Sequence, residues 1–325
     1  MSILLKKYSK KNIQEWDDFV DLSSNGTIFH YRKFLSYHLD RQFEDNSLIF
    51  EKNKLIIAVL PAAKILKKGE SILLSHPGAS YGGFIYNQLK YEEAEKIIEL
   101  VDLYCMQNNF KRFFLVPPPI IYYKKNNELL NYLLIRNNYQ IKEMYISSII
   151  DIEKNINSLD YLNKRKKRYI KKYFSNLNLK IEYNNDYNKF YPILLNNKKK
   201  HNVIPTHTLE ELKKLYNLFP KKFYLLLLYY NEKVIGGTLN IIANKKCGIM
   251  FYNMIDYKYK NLQAASIQIF ESINWAKKMN LQQLDLGVSQ QPNSLDPLEP
   301  HKNLIKFKEQ FGATAILRNA FEKKY

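Results

Sequence analysis

FYLLLLYYNEKVIGGTLNII, residues 223–242, is an apolar run, a short polar interruption at Asn231-Glu232-Lys233, and a second apolar run. Two strands joined by a tight polar turn make an antiparallel hairpin. The pattern stands earlier in the chain as well: Ser47 to Phe50, the turn Asn53-Lys54, then Leu55 to Leu60. Downstream of each hairpin comes a segment with helical spacing, followed by a strand. Ala94, Ile97, Ile98, Val101 and Cys105 precede Lys111 to Val116, and Ala265, Ile269, Ile273 and Ala276 precede Gln282 to Leu286. Each helix offers one apolar stripe, as a helix laid on a sheet does. Lys54 and Lys233 lie 179 positions apart, and Asn109 and Asn280, at the helix ends, 171 apart. Two unlike features displaced by nearly the same distance predict one architecture used twice. Hairpin, helix and strand in that order give an α/β (α+β) chain with a mixed sheet in each half, antiparallel first and then crossing over through a helix. The expected domains are 1–155 and 156–325, joined at the polar stretch Asp151 to Leu159.

Length and composition fit that division. The 325 residues suffice for two domains, and 46% hydrophobic with 25% charged residues describes a folded chain rather than a disordered one. No apolar run approaches the roughly 18 residues of a membrane span. Only Ile3 to Leu5 precede the first lysines, which is no secretory leader, so a cytoplasmic location is expected. Cys105 and Cys247 fall one in each half without a CxxC pair, which points to a reduced compartment and no zinc knuckle. The formal charge of +19 has two readings. It favours anionic partners such as RNA or phosphorylated ligands, or it reflects a lysine- and asparagine-rich composition throughout.

Several segments could carry chemistry. Ser75-His76-Pro77-Gly78-Ala79-Ser80-Tyr81-Gly82-Gly83 concentrates Gly and Pro in a chain with ten glycines. It reads either as a ligand-lining loop, with His76 and Tyr81 able to hydrogen-bond, or as a turn into the next strand. Lys164 to Lys172 holds seven bases, which would grip phosphates or merely solvate a helix. His201 and His207 flank a proline loop before a helix whose Thr208 and Glu211 form a capping box. Their spacing does not suit a metal pair, so no metal site is expected, and substrate contact is the functional alternative. Asp285 and Gly287 end a strand, where side chains meet ligands or simply bond turn amides. Lys306 and Lys308 lie on different faces of a short helix closed by Gly312, so at most one reaches a site.

The basic opening helix of the second half, the strand-end Asp285-x-Gly287 and the terminal Phe307-Lys308-Glu309-x-Phe311-Gly312 resemble the FemAB-like branch of the GNAT acyltransferase superfamily. The loop at Ser75 to Gly83 and Pro205-Thr206-His207 resemble a bacterial GNAT subgroup, and the resemblance spans nearly the whole chain. It implies twin GNAT folds and N-acyl transfer from acyl-CoA or acyl carrier protein, or from aminoacyl-tRNA, to an amine. The acceptor class it suggests is an amino sugar or other cell-envelope precursor. No tightly bound cofactor is expected. By the resemblance His76, His207 and Asp285 are the candidate bases; Ser75, Tyr81, Gly82, Gly83 and Lys308 would bind substrate in a cleft between the halves. The chain departs from the CoA-binding pattern before the second-half helix. Tyr257 to Ala264 lacks the glycines whose amides hold a pyrophosphate, leaving Lys260, Asn261 and Gln263 to substitute. A coiled-coil arm, often seen in the tRNA-dependent members, is missing. A non-catalytic GNAT pair that binds RNA or serves as a scaffold is the third reading.

Overall fold

The structure is a computed structural model in which residues 2–39, 41, 43–200, 202–292 and 294–325 are described. It divides into two compact units. The first comprises Met1–Tyr145, Asn293–Glu299 and Leu317–Tyr325; the second comprises Ile146–Pro292 and Pro300–Ile316.

The first unit opens with β1 (Leu4–Lys7), α1 (Ile13–Leu22), α2 (Arg32–Leu35) and β2 (Glu44–Asp45). Five strands follow: β3 (Leu48–Lys52), β4 (Leu55–Leu60), β5 (Ala63–Lys67), β6 (Glu70–Ser75) and β7 (Ile85–Tyr86). Then come α3 (Tyr91–Gln107), β8 (Arg112–Leu115), α4 (Leu129–Arg136) and β9 (Gln140–Asp151), which leads into the second unit. β3 and β4 form the expected antiparallel hairpin. Its turn residues Asn53 and Lys54 both take positive φ, the geometry that matches strand twist in a two-residue turn. α3 buries the predicted stripe, Ala94, Ile97, Ile98, Val101 and Cys105, against a core that includes Phe50, Phe84 and Phe113. β6 and β8 on either side of α3 are parallel, paired from Ile72↔Arg112 to Ser75↔Leu115.

The second unit contains α5 (Lys164–Phe174), β10 (Leu179–Tyr183), α6 (Tyr187–Lys200), α7 (Leu209–Leu218), β11 (Phe223–Tyr230), β12 (Lys233–Ile242) and β13 (Cys247–Ile255). It closes with α8 (Ala264–Lys278), β14 (Gln283–Val288), α9 (Lys302–Glu309) and β15 (Thr314–Lys324), whose later residues belong to the first unit. There Phe321 pairs with Leu115 of β8. Within the second unit the strands run β10-β11-β12-β13-β14-β9, antiparallel except for the β13–β14 pair on either side of α8. β11 is apolar almost without a break because both its faces are covered, and Leu225 to Leu228 are fully buried. Each such leucine contributes about 1.5–3 kcal/mol relative to exposure.

The internal echo holds at the backbone. The second hairpin also turns on two residues of positive φ, Asn231 and Glu232, and the ends of α3 and α8 are both closed by an asparagine at φ 56°, Asn109 and Asn280. One expectation needs correction. α8 is buried on more than a single stripe, with Ser266, Gln268, Ser272 and Trp275 covered as well as the apolar set. The reason is α5, which packs on α8 through Lys166 and Ile170 and leaves it between two layers.

Candidate active site

β13 and β14 pair over three residues only, Cys247↔Gln283, Gly248↔Leu284 and Ile249↔Asp285. β13 then continues to Ile255 and β14 to Val288 with no further pairing between them. A strand edge that loses its neighbour inside a sheet presents N–H and C=O groups for another extended chain. Asp285 stands where the strands part. It is fully buried, and its Oδ1 accepts hydrogen bonds from Ser147 Oγ at 2.7 Å and from the Gly287 amide at 2.7 Å. Both contacts depend on a bulge. The β14–β9 register shifts between Asp285↔Ile149 and Val288↔Ser147, and Gly287 at φ 77° supplies the left-handed residue such a bulge uses. Asp285 therefore does bond a turn amide, and it also reaches a side chain on the adjoining strand.

α9 brings Lys308 to the same place. The His301 amide donates to Ser289 O at 2.8 Å, tying the start of the helix to the end of β14. Lys308 is 6% exposed, whereas Lys306 one face away is exposed. Lys308 Nζ donates to Gly287 O at 2.6 Å, Ser289 Oγ at 2.9 Å and Val288 O at 3.2 Å, which accounts for all three ammonium protons. Burial pulls its pKa down to about 8, and the Asp285 carboxylate opposes the drop.

His207 meets the diverged part of β13. Its Nδ1 shares a 2.8 Å hydrogen bond with the Tyr252 hydroxyl, and its ring packs edge-on against Phe251. The next helix, α7, starts with the expected capping box: Thr208 Oγ1 accepts from the Glu211 amide at 3.1 Å, and Glu211 Oε2 from the Thr208 amide at 2.9 Å. His201 lies outside the described residues, and among those described no His, Cys, Asp and Glu group could hold a metal.

The Ser75–Gly83 loop occupies the corresponding position in the first unit, just after the last β6–β8 pair, and its polar groups are used internally. The Gly83 amide donates to Ser75 Oγ at 2.9 Å, and the Gly82 amide to Val116 O at 2.8 Å. His76 is buried, its Nδ1 is 2.7 Å from Pro77 O, and burial holds its pKa down at about 4, so it is neutral near pH 7. Tyr81 packs between Phe29 and Tyr122. A Cβ on Gly82 would stand 2.6 Å from the Ser75 carbonyl, and backbone cannot yield there. Gly82→Ala is accordingly expected to cost about 1–3 kcal/mol of stability in a urea unfolding curve.

Before α8, Tyr257–Leu262 forms a 3₁₀ turn and Gln263 takes φ 58°. Lys260 and Asn261 are exposed and Gln263 is half-buried. The cation at the first turn of α8 comes from elsewhere. Lys166 of α5 is 4% exposed, donates to Ser266 Oγ at 2.7 Å and lies 4.6 Å from the Phe307 ring centre. Burial, and then Arg165, lower its pKa to about 8. Six of the seven bases predicted on this helix are exposed or half-exposed, and Lys166 is the exception. Sequence reasoning missed Ser147 and Tyr252, took Ser289 only as part of the strand end at Asp285, and did not separate Lys166 from the other six bases of its helix. For Lys166 a signal existed: it is midway between Leu162 and Ile170 at helical spacing, and all three are buried.

The two cysteines are buried free thiols. Burial pushes Cys105 up to about 12 and Cys247 well above the usual thiol range, so neither is poised as a nucleophile. No helix among the described residues is long and apolar enough to cross a membrane.

No protein-family model matches the sequence, and no curated protein matches it. Solved structures do. FemX superposes with a TM-score of 0.73 at 10% identity, over 100% of this chain and 98% of FemX. A tandem GNAT protein from the clavulanic acid biosynthesis pathway gives 0.59 at 6% identity, over 99% and 98%. The C-terminal domain of a putative lysylphosphatidylglycerol synthetase from Agrobacterium fabrum gives 0.61 at 7% identity, over 96% and 91%. With its doubled hairpin–helix–strand order, the chain has the tandem GNAT fold in the form that FemX takes.

Proposed function

We propose that the protein transfers an acyl group from a thioester donor, acyl-CoA or acyl carrier protein, to an amine. The observation that carries this reading is the parting of β13 from β14 beside the buried Asp285–Ser147 and Lys308–Ser289 groups. The freed edge of β13 suits the extended, amide-bearing arm of such a donor, with strand N–H groups polarising its carbonyl. The acceptor nitrogen attacks that carbonyl, the C–N bond forms, the C–S bond breaks and the thiolate leaves. Asp285 or His207 takes the proton that the nitrogen sheds. Lys308, with its three protons given to the 287–289 segment, acts as a positioning residue: it fixes the strand end that holds Asp285. An amino sugar or another cell-envelope amine is the acceptor class favoured by the resemblance. Purified protein offered acyl-CoA and acyl carrier protein with an amino-sugar acceptor should form the amide; no transfer from either thioester would refute this form of the proposal.

A second reading, with aminoacyl-tRNA as donor, draws on a different observation. Lys164, Arg165, Arg168, Lys171 and Lys172 are exposed together on α5. Moreover, the start of α8 lacks glycine and has Lys166 bound to Ser266. If this donor is the right one, Arg165→Glu with Arg168→Glu should weaken tRNA binding at least about tenfold and flatten its salt dependence. Filter binding across a salt series would show it, and unchanged binding would favour the thioester.

A further inference from the structure

The second unit contains a cavity of about 470 Å³ where β10 and the start of β11 meet the outer half of α8. Tyr183, Tyr224, Trp275, Glu271 and Asn274 line it. The strand order β11-β12-β13-β14 puts three strand spacings, about 14 Å, between this wall and Asp285's strand. It is therefore separate from the site described above, and nothing in the transfer reaction uses it.

Glu271 is what sets the cavity apart. The chain has a net charge of +19, yet this half-buried carboxylate makes no ion pair among the described residues. Its side-chain partner is Asn274 Nδ2 at 3.3 Å. Burial pushes its carboxyl above the usual range, so the charge is held at a cost that no neighbouring cation offsets. Tyr183 and Tyr173 stand near enough that its charge, after burial, raises both phenols. Lys278 lines the same cavity from an exposed position without pairing with it. Aromatic rings grouped around one carboxylate attract an organic cation, through the ring faces and through the charge.

We propose that this cavity binds an organic ammonium group, with Glu271 supplying the countercharge and Tyr183, Tyr224 and Trp275 the aromatic walls. The ligand is a free alkylamine or the quaternary headgroup of a choline-type molecule. A phosphorylated ligand does not suit it.

Calorimetric titration of the full chain tests this with n-butylammonium, choline and the neutral analogue n-butanol. Saturable heat is expected for at least one cation and none for n-butanol. Stronger binding of butylammonium assigns a primary amine and stronger binding of choline a quaternary one; either outcome sustains the proposal. Glu271→Gln, which keeps the shape, should weaken cation binding about tenfold or more, and Tyr183→Leu about threefold to tenfold. Tyr183 is 48% exposed, so its variant remains a usable test should Glu271→Gln fold poorly. Equal affinity for n-butanol, unchanged cation binding in the folded variants, or no saturable heat from either cation would overturn the assignment.

Discussion

Asp285→Ala is expected to lower the free energy of unfolding by about 3–5 kcal/mol. The carboxylate is fully buried, so the change strands three groups at once: the Ser147 hydroxyl, the Gly287 amide and the nearby Lys308 charge. Removing one partner of a buried charged group costs more than the pair contributes, because the other is left without compensation. Asp285→Asn keeps one carbonyl oxygen for the two donors, while it loses the charge and turns the second oxygen into an NH2 donor, so its cost should be under that of alanine. Urea unfolding of both variants checks the order. Equal losses would mean that the retained hydrogen bonds contribute nothing and that the whole cost lies in the lost charge.

The largest effect on transfer is expected from Lys308→Met, a fall in kcat of about 10²–10³ with little change in KM for the donor, comparable to losing a preorganised polar contact. Lys308 holds Gly287 O, Val288 O and Ser289 Oγ as an ammonium. With its pKa pulled down to about 8, the wild-type rate should fall as pH rises through that value. A folded Lys308→Arg variant retains its charge and should lose that alkaline limb. The stability effect has the opposite sign. A lysine whose folded pKa lies below its ordinary 10.5 pays for its charge in the folded state below pH 8, and that cost disappears as pH rises from 8 to 10.5. Wild-type stability should therefore gain over that window from this group, and Lys308→Met should lack the gain.

Much of the fold was legible because it rests on local pattern. The two hairpins showed as apolar runs broken by Asn53-Lys54 and Asn231-Glu232-Lys233, and α3 buries the five residues its spacing nominates. The Thr208–Glu211 box was readable for the same reason. What escaped depends on partners distant in sequence. β15 has no clean alternation, and its pairing of Phe321 with Leu115 joins residues that no periodicity connects. Asp285 and Lys308 could be named from position, but Ser147 could not, since only the bulge at Gly287 brings it into reach. The Ser75–Gly83 loop drew attention through its glycines. In the structure Gly82 is explained by close approach to Ser75, and Gly83, at φ 75°, by its left-handed backbone and by contact with Pro117. Lys166 was one base among seven until α8 gave it a face to be buried on.

The most direct test of the transferase account is a single-turnover assay. Wild type and folded Lys308→Met would each be given labelled acyl-CoA, acyl carrier protein or aminoacyl-tRNA, with an amino-sugar acceptor. The wild type is expected to form amide from a thioester, and the variant at least a hundredfold less. No transfer from either thioester, or equal rates in both proteins, would contradict it.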